Sequence, residues 1–253
     1  MPKKGRTKKK DTRIWTLLRL FDKVEYAEQF RAGKLRLHKL KFFREYLDSN
    51  GELRGDPWEG TCAVIQPSQF SEMKIGDKTI RGDQLLEPIR IAAEFQLSWS
   101  LQCFYALTNA GFEAGNFDSL EQLRELFLIH QRCYGLGASL AYLVRPQEFM
   151  RRFHKAIRAA GHKYARNLVT YYDANTFHGE FRLDEVPFRK RQEFSHQREY
   201  RFSVYSTDAD PDPLLLDVGD LSDICKITTP DEFNRDLKIS IEPKKRKQRA
   251  PKR

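Results

Sequence analysis

The chain has 253 residues, of which 40% are hydrophobic and 32% charged, and its formal net charge at pH 7 is +10. Its 14 Gly, 11 Pro and 4 Cys are ordinary counts for a folded protein, so collagen-like, mucin-like and disulfide-rich classes are excluded. The 18 Phe and 10 Tyr supply enough apolar bulk for a core of normal size, which excludes a fully disordered chain.

The positive charge is concentrated at the two ends of the chain. Residues 1–10 contain six Lys or Arg, residues 244–253 contain seven, and neither segment has an acidic residue. Removing these 13 leaves 32 basic against 35 acidic residues, a net charge of −3 for the remainder. We therefore expect disordered basic tails at 1–12 and 243–253 around one domain at 13–242. The tails would contact nucleic-acid phosphates, with RNA favoured over DNA as the partner.

Hydrophobic periodicity and turn residues predict short helices and strands in the body of the chain. Val24, Ala27 and Phe30 form one helical stripe that Gly33 ends, whereas the segment from Tyr200 to Val204 alternates as a strand does. In chain order the predicted elements are a helix at 23–33, a strand from Leu35, a polar turn at 54–60, strands at 62–66 and 95–107, a helix from about 119 to 133, a strand at 140–144, a helix from Pro146 to Gly161, strands at 168–172, 199–205, 214–218, 224–228 and 238–242, and a short helix from Pro230. Helices cluster in the first two-thirds and strands dominate the end, so the predicted class is a single α+β domain.

Several common signatures are missing from the sequence. There is no P-loop, dinucleotide-binding glycine fingerprint, H-E-x-x-H or G-x-S-x-G motif, and the six His lack metal-ligand spacing, so we expect no metal site. The longest uncharged run, 95–112, is too polar to span a bilayer, and the first residues lack the apolar segment of a secretion signal. Because the four Cys are also widely spaced, we expect a cytoplasmic protein without a membrane anchor.

Polar side chains on predicted strands are the remaining candidates for chemistry. If the strand at 199–205 extends back to Gln197, the side chains of Gln197 and Glu199 point to the same face. A carboxylate beside a sugar stabilises an oxocarbenium-like transition state, and an amide two residues earlier can orient a nucleophile over that sugar. The same triplet is also typical of an exposed strand start whose charges pair with Arg198 and Arg201.

Two further pairs of polar residues lie on predicted strands. Ser98 and Ser100 share one face of the strand at 95–107, where they could bind a carboxamide or phosphate or simply pack beside a buried Trp99. Arg36 and His38 share one face of the first predicted strand, where they could hold a dinucleotide phosphate or face solvent. Neither pair discriminates between the two interpretations on its own.

The least generic string is Arg-Gly-Asp-Pro-Trp-Glu-Gly at 54–60. Asp56 and Glu59 could hold Mg²⁺, or they could pair with Arg54 to shape a loop. We favour the loop, because two acids without a lysine-bearing strand partner make a weak metal signature.

Two functions from other classes remain open. A metal-dependent nuclease would use four acids and the basic tails, and the acids are Asp56, Glu59, Asp184 and Glu185. A non-enzymatic RNA-binding adaptor would offer aromatic side chains for base stacking, and these are Phe104, Tyr105, Tyr171 and Tyr172.

The order of these motifs resembles that of a known family. A Gly-ended helix is followed by a strand leading to Phe42-Phe43-Arg44-Glu45, an R-x-D-P-x-E-G-type loop, an uncharged strand containing Gln102-Cys103-Phe104-Tyr105, and a late Gln197-x-Glu199-Tyr200-Arg201-Phe202. This order is similar to that of bacterial abortive-infection and phage-defence proteins related to ADP-ribosyltransferase toxins. The resemblance covers about residues 23–228 loosely, and its loop and late motif are the more specific parts.

The resemblance implies an ADP-ribosyltransferase-like fold with a mixed or antiparallel sheet core and a transferase that uses NAD as a substrate. Glu199 would hold the nicotinamide ribose and stabilise the oxocarbenium, and Gln197 would position the acceptor. NAD would be bound by Ser98 and Ser100 as an S-x-S element, by Arg36 or His38 as the first-strand basic residue, and by Arg54. Such a toxin or defence effector would modify a macromolecule, RNA among them, and an antitoxin or chaperone partner would be compatible with it.

Overall fold

The computed structural model of the chain describes residues 12–48, 54–109 and 119–240. Six α-helices lie in this part of the chain: α1 (Val24–Arg31), α2 (Leu40–Glu45), α3 (Glu94–Leu97), α4 (Leu120–Glu125), α5 (Pro146–Ala159) and α6 (Pro230–Asp236). Its strands are β1 (Ile14–Phe21), β2 (Lys34–Lys39), β3 (Thr61–Ile65), β4 (Glu72–Ile75), β5 (Lys78–Arg81), β6 (Ile89–Ala92), β7 (Ser100–Thr108), β8 (Ser139–Leu143), β9 (Tyr164–Leu168), β10 (Thr170–Tyr172), β11 (Gly179–Glu180), β12 (Arg189–Arg191), β13 (Glu199–Val204), β14 (Leu214–Asp217) and β15 (Cys225–Thr228). The predicted tails at 1–12 and 243–253 lie outside the described residues, apart from residue 12.

The first structural unit is β1, α1 and β2. Helix α1 buries Ala27 and Phe30 against the sheet, as its apolar stripe predicts, while Val24 is exposed. Gly33 joins α1 to β2 with a φ of +86°, and a Cβ there would lie 2.1 Å from the carbonyl oxygen of Gly219. This turn therefore requires glycine for both its backbone conformation and its close contact with a distant loop.

Eight strands form one antiparallel sheet, in the order β14-β2-β7-β1-β8-β15, with β13 paired to both β7 and β9. Strand β13 pairs with one edge of β7 over residues 100–105. On the other edge, β2 pairs with residues 100 and 101, and β1 pairs from residue 105 onward. The sheet is thus split between β1 and β2, beside residues 102–104 of the central strand.

The main hydrophobic core fills the space between this sheet and helices α1 and α5. Pro146 starts α5, where its missing N–H costs no helical hydrogen bond, and Phe149, Phe153 and Ile157 are fully buried at helical spacing. Phe202 of β13 lies 4.4 Å from Phe153 between ring centroids. The protein is therefore a single α+β domain with an antiparallel sheet core.

Small sheets surround this core. Strands β11, β3 and β6 form one, β4 and β5 form a hairpin, and β10 pairs with β12 in parallel. Short 3₁₀ helices connect several of these strands, at Pro67–Gln69, Gly82–Gln84, Gln131–Leu136, Val186–Phe188 and Gln192–Gln197. Five of the six described α-helices precede residue 160, in agreement with the predicted distribution.

Four predicted elements differ from the structure. Residues 94–97 form helix α3, so the central strand begins at Ser100 rather than at residue 95. Helix α4 ends at Glu125 and is followed by a turn and a 3₁₀ helix, because Leu128 to His130 leave the helical path. The predicted strand at 168–172 is two strands with different partners, β9 against β13 and β10 against β12. Residues 238–240 form no strand, and 241–242 lie outside the described residues.

Candidate active site

A cavity of about 390 Å³ lies in the split of the main sheet. One wall is β1 from Leu18 to Phe21, the other is β2 at Lys34, Arg36 and His38, and residues 102–105 of β7 lie between them. Helix α1, Phe42 and Phe43 of α2, and Arg54 complete the sides. Lys190, Gln197, Glu199 and Arg201 form its floor, a name we use below for these four residues.

Gln197 and Glu199 both reach the floor, but not along one strand. Gln197 ends the 3₁₀ helix at 192–197, and β13 begins at Glu199, so the predicted backward extension of the strand is wrong. Arg198 between them has a φ of +42°, a left-handed conformation that is uncommon outside glycine. This single residue turns the chain so that both neighbouring side chains meet the same ammonium group, that of Lys190.

The floor is a hydrogen-bonded network of buried charges. Lys190 Nζ donates to Gln197 Oε1 at 2.7 Å and to Glu199 Oε1 at 2.6 Å. Arg201 Nε donates to Glu199 Oε2 at 2.7 Å, and its Nη1 donates to Glu59 Oε2 at 3.0 Å and to the Pro187 carbonyl oxygen at 2.9 Å. Two carboxylates and two cations therefore balance each other, and all four side chains are buried.

Glu199 stays ionised in this network. Burial by itself would raise the pKa of Glu199, but Arg201 and Lys190 outweigh it and lower that pKa to about 2. Each carboxylate oxygen has accepted one side-chain hydrogen bond and keeps a further lone pair for a ligand. Cys103, which also lines the cavity, is the opposite case, because burial raises the pKa of its thiol to about 12 and keeps it protonated. Glu199 is thus ionised, and the Cys103 thiol is neutral, where they line the cavity.

The Arg-Gly-Asp-Pro-Trp-Glu-Gly segment is a loop that supports the floor. Asp56 is buried and accepts from Arg191 Nε at 2.9 Å, and Glu59 binds Arg201 as described. Arg54 instead donates to Asp22 Oδ1 and to the Leu136 carbonyl oxygen, both at 3.0 Å, on the other side of the cavity. Residues 54–60 form neither helix nor strand, as predicted, but the predicted pairing of the two acids with Arg54 is wrong, because they pair with arginines of the C-terminal third.

Arg36 and His38 lie on the cavity wall, but the prediction that they belong to the first strand is wrong, because β1 precedes their strand, β2. The imidazole of His38 stacks on Phe42 with ring centroids 4.2 Å apart. Burial lowers the pKa of His38 despite the opposing effect of Asp212, whose Oδ1 lies 3.4 Å from Nδ1. At neutral pH His38 is therefore an uncharged, oriented hydrogen-bonding group, and the positive charge of this wall comes from Lys34 and Arg36.

Ser98 and Ser100 do not belong to the cavity wall. Ser98 Oγ donates to the carbonyl oxygens of Phe95 at 2.8 Å and Ser206 at 3.0 Å, and Ser100 Oγ lies 2.9 Å from Ser206 Oγ. Both serines are buried in this network. Of the seven predicted site residues the structure thus brings five to the cavity, and it gives the two hydroxyls structural partners instead.

Arg19, Gln102 and Lys190 are among the cavity residues that sequence reasoning did not assign to the site. Arg19 is the only cation within the apolar run of β1, and its Nη1 is buried without a hydrogen-bond partner. Burial lowers the pKa of Arg19 to about 10, so the guanidinium remains charged at neutral pH. Gln102 interrupts the apolar run from Leu101 to Leu107 of β7, and that interruption is a sequence signal. Lys190 had none, because it lies in the ordinary basic run 189–191.

The residues proposed for the two alternative functions form ion pairs or lie in the core. Each of the four acids proposed for a nuclease forms an ion pair with a different arginine, namely Arg191, Arg201, Arg182 and Arg189. No group of three or more potential metal ligands occurs within the described ranges. Phe104, Tyr105 and Tyr172 are buried, and Tyr171 accepts a hydrogen bond from the backbone N–H of Glu199 at 2.9 Å. These aromatic rings are core and supporting groups, and those of Phe104 and Tyr105 line the cavity rather than the outer surface.

Comparison with known proteins adds no assignment: no family model, no curated protein and no solved structure matches the chain. Among the helices of the described residues, none is both long enough and apolar enough to cross a bilayer. What the site can do must therefore be argued from its own geometry. That geometry combines an ionised, buried carboxylate with a cavity whose walls carry Arg19, Arg36 and Arg54.

Proposed function

We propose that the protein is an ADP-ribosyltransferase-like enzyme of the toxin or phage-defence type, which binds NAD in the cavity and transfers ADP-ribose to a macromolecule. The observation that carries this proposal is the presence of Glu199 and Gln197 on the floor of a cavity with basic walls. Cations and a carboxylate in one cavity suit a ligand that has phosphates at one point and a reacting sugar at another.

The cavity residues fit the chemical groups of NAD. Arg19, Arg36 and Arg54 can bind the diphosphate, since guanidinium groups bind phosphate oxygens through paired N–H donors. Phe42, Phe43 and other aromatic rings of the wall can pack against its heterocycles. The volume of about 390 Å³ lies within the range of small-molecule sites.

In the reaction that we propose, the bond between C1′ of the nicotinamide ribose and the pyridine nitrogen breaks. Its electron pair leaves with neutral nicotinamide, and positive charge develops on the ribose. Glu199 stabilises this charge through its ionised carboxylate, while Gln197 orients the attacking oxygen or nitrogen. The nucleophile forms the new bond to C1′ and releases its proton to solvent, because the pKa of Glu199, about 2, makes it a poor base.

The acceptor that we favour is RNA or a ribonucleoprotein. The support is the sequence alone: 13 of the 45 basic residues lie within the first ten and last ten positions, and such segments hold nucleic acid through phosphate contacts. A cytoplasmic location and a restraining antitoxin or chaperone partner are part of the same proposal. Protein acceptors are the competing outcome of the experiment below.

The test is to incubate the full chain with NAD labelled in its ADP-ribose part, together with total cellular RNA or RNA-free lysate. We expect nicotinamide release and label transfer to a macromolecule, both unaffected by EDTA. Glu199→Gln should reduce both by about 100-fold or more, as removal of one transition-state contact does elsewhere. Glu180→Gln, an exposed position on β11, is the matched control and should retain full activity.

Two results would contradict the proposal. One is full turnover by a Glu199→Gln variant whose circular dichroism and thermal unfolding match the wild type. The other is an unchanged NAD pool with every acceptor tried. RNA loss that needs no NAD and stops with EDTA would instead support the nuclease.

A further inference from the structure

The side chain of Gln102 is buried without any hydrogen-bond partner. Its exposure is 0%, it lines the cavity, and neither Oε1 nor Nε2 contacts a polar group of the protein. In the free protein, a buried carboxamide whose N–H and C=O groups have neither water nor protein partners costs free energy. Such a group in a cavity wall indicates a ligand that restores both hydrogen bonds.

A second unsatisfied group lies in the same cavity. The Nη1 of Arg19, on β1, is likewise buried and without a partner. Other buried atoms without a hydrogen-bond partner lie away from the cavity, in Asp56, Gln96, Tyr172, His196 and Ser203. Among the described residues that line the cavity, Gln102 and Arg19 are the two that have such atoms. Arg19 lies on β1, which flanks the sheet split, and Gln102 lies on the central strand β7 beside that split. The cavity therefore combines an amide donor and acceptor with one further cationic donor.

The surroundings of these groups are aromatic. Phe21, Phe30 and Phe104 line the cavity with them, and Phe30 lies 5.8 Å from Phe21 and 5.9 Å from Phe104 between ring centroids. Flat apolar faces around a hydrogen-bonding amide suit a planar ring whose edge has adjacent donor and acceptor atoms. An aliphatic phosphate or sugar would leave the acceptor of Gln102 or the aromatic faces unused.

We propose that Gln102 is a specificity-determining residue that binds the edge of a planar heterocycle carrying an N–H donor beside an acceptor, with Arg19 donating to the same ligand. The inference rests on the proposed function, because NAD carries this chemistry in two places. One is the carboxamide of nicotinamide, and the other is the amino edge of adenine. Both present a donor and an acceptor that a glutamine amide can pair with in a bidentate manner.

The test measures equilibrium binding of five probes to the full chain by calorimetry. They are NAD, its nicotinic-acid analogue, its hypoxanthine analogue, free nicotinamide and free adenosine. We expect wild-type protein to bind one of the two altered dinucleotides at least about tenfold more weakly than NAD, and that analogue identifies the ring that Gln102 reads. In Gln102→Met this discrimination ratio should fall at least fivefold.

Gln102→Met is suited to the test, because methionine fills a similar volume and removes an unsatisfied amide, so thermal stability should not decrease. Gln147→Met, on the exposed face of α5, is the matched control and should keep the wild-type ratios. The inference is overturned if wild-type protein binds the three dinucleotides equally, or if Gln102→Met folds and keeps the discrimination.

The outcomes separate this inference from the proposed function. If NAD binds and is turned over, but Gln102 does not affect the preference for NAD over its analogues, only the role of Gln102 fails. If NAD does not bind but nicotinamide or adenosine binds in a Gln102-dependent way, the proposed function fails and the heterocycle site stands. If none of the five probes binds, both are overturned.

Discussion

Glu59 and Arg201, which are 142 residues apart in sequence, form a buried two-point ion pair beneath the cavity. Glu59 belongs to the loop after α2, and Arg201 to β13, which pairs with the central strand. The guanidinium group also binds Glu199, so it joins a supporting carboxylate to the carboxylate that we propose to be catalytic. The position of Glu199 therefore depends on a contact made by a distant loop.

Arg201→Met should be strongly destabilising. The substitution leaves Glu59 and Glu199 buried close together with only Lys190 to balance them, and breaking one partner of such a site costs about 3–5 kcal/mol. Adding Glu59→Gln to Arg201→Met should recover part of this loss, because one unbalanced charge is removed. Urea unfolding of the two single variants and the double variant measures the coupling. Arg235→Met, which removes an exposed ion pair on α6, is the control. If the losses of unfolding free energy in the two single variants simply add in the double variant, the proposed network is contradicted.

Stability should decrease in acid in a way that depends on Glu199. Burial opposes ionisation, but Arg201 and Lys190 bring the folded-state pKa to about 2, below the ordinary value of 4.5. The stabilisation is therefore fully present above about pH 4.5 and is lost as the pH falls toward 2. We expect the free energy of unfolding to fall more between about pH 6 and about pH 3 in wild type than in Glu199→Gln. If the free energy of unfolding depends on pH in the same way in both proteins, Glu199 is not ionised and paired as described.

Ser100→Ala should affect stability rather than ligand binding. The hydroxyl of Ser100 contacts that of Ser206 in a fully buried position, and loss of one such hydrogen bond costs about 1 kcal/mol. The cavity wall is untouched, so the Kd for NAD and the rate of turnover should match wild type. Calorimetry and unfolding on the same preparation check both. A large change in the Kd for NAD with unchanged stability would instead support the sequence prediction that Ser100 binds NAD.

Removing residues 1–10 and 244–253 should weaken RNA binding and reduce its salt dependence. Each phosphate contact that a tail makes releases a counterion, so fewer contacts give a shallower slope of log affinity against log salt. NAD binding to the cavity should persist, because the described residues that line it lie between Leu18 and Arg201 in the chain. Fluorescence titration of one RNA at several salt concentrations measures the slope. An unchanged slope would exclude the tails as phosphate contacts.

Elements with a clear periodicity were predictable from the sequence. The stripe Phe149, Phe153 and Ile157 predicts α5, and the alternation after Tyr200 predicts β13, because burial on one face leaves that pattern in the residues. Strand β1 was not predicted, since Leu17 and Leu18 are both fully buried and a strand covered on both faces does not alternate. With β1 unassigned, Arg19 had no place in the predicted site.

The site itself was predictable only in part. Glu199 and Gln197 were found from their spacing, although the left-handed Arg198 that brings them together has no sequence signature. Gln102 and Lys190 become buried because strands and loops from distant parts of the chain cover them, which local patterns do not encode. For the same reason the partners of Asp56 and Glu59 could not be read from the loop.

The residues of the cavity walls and those of its floor lie in different parts of the sequence, so they are synthesised at different times. Both flanking strands and the central strand are complete by residue 108, whereas Lys190, Gln197, Glu199 and Arg201 follow more than 80 residues later. Until these residues have been synthesised, the floor of the cavity is missing. In the proposed enzyme, catalysis would therefore have to wait for the part of the chain that carries Glu199.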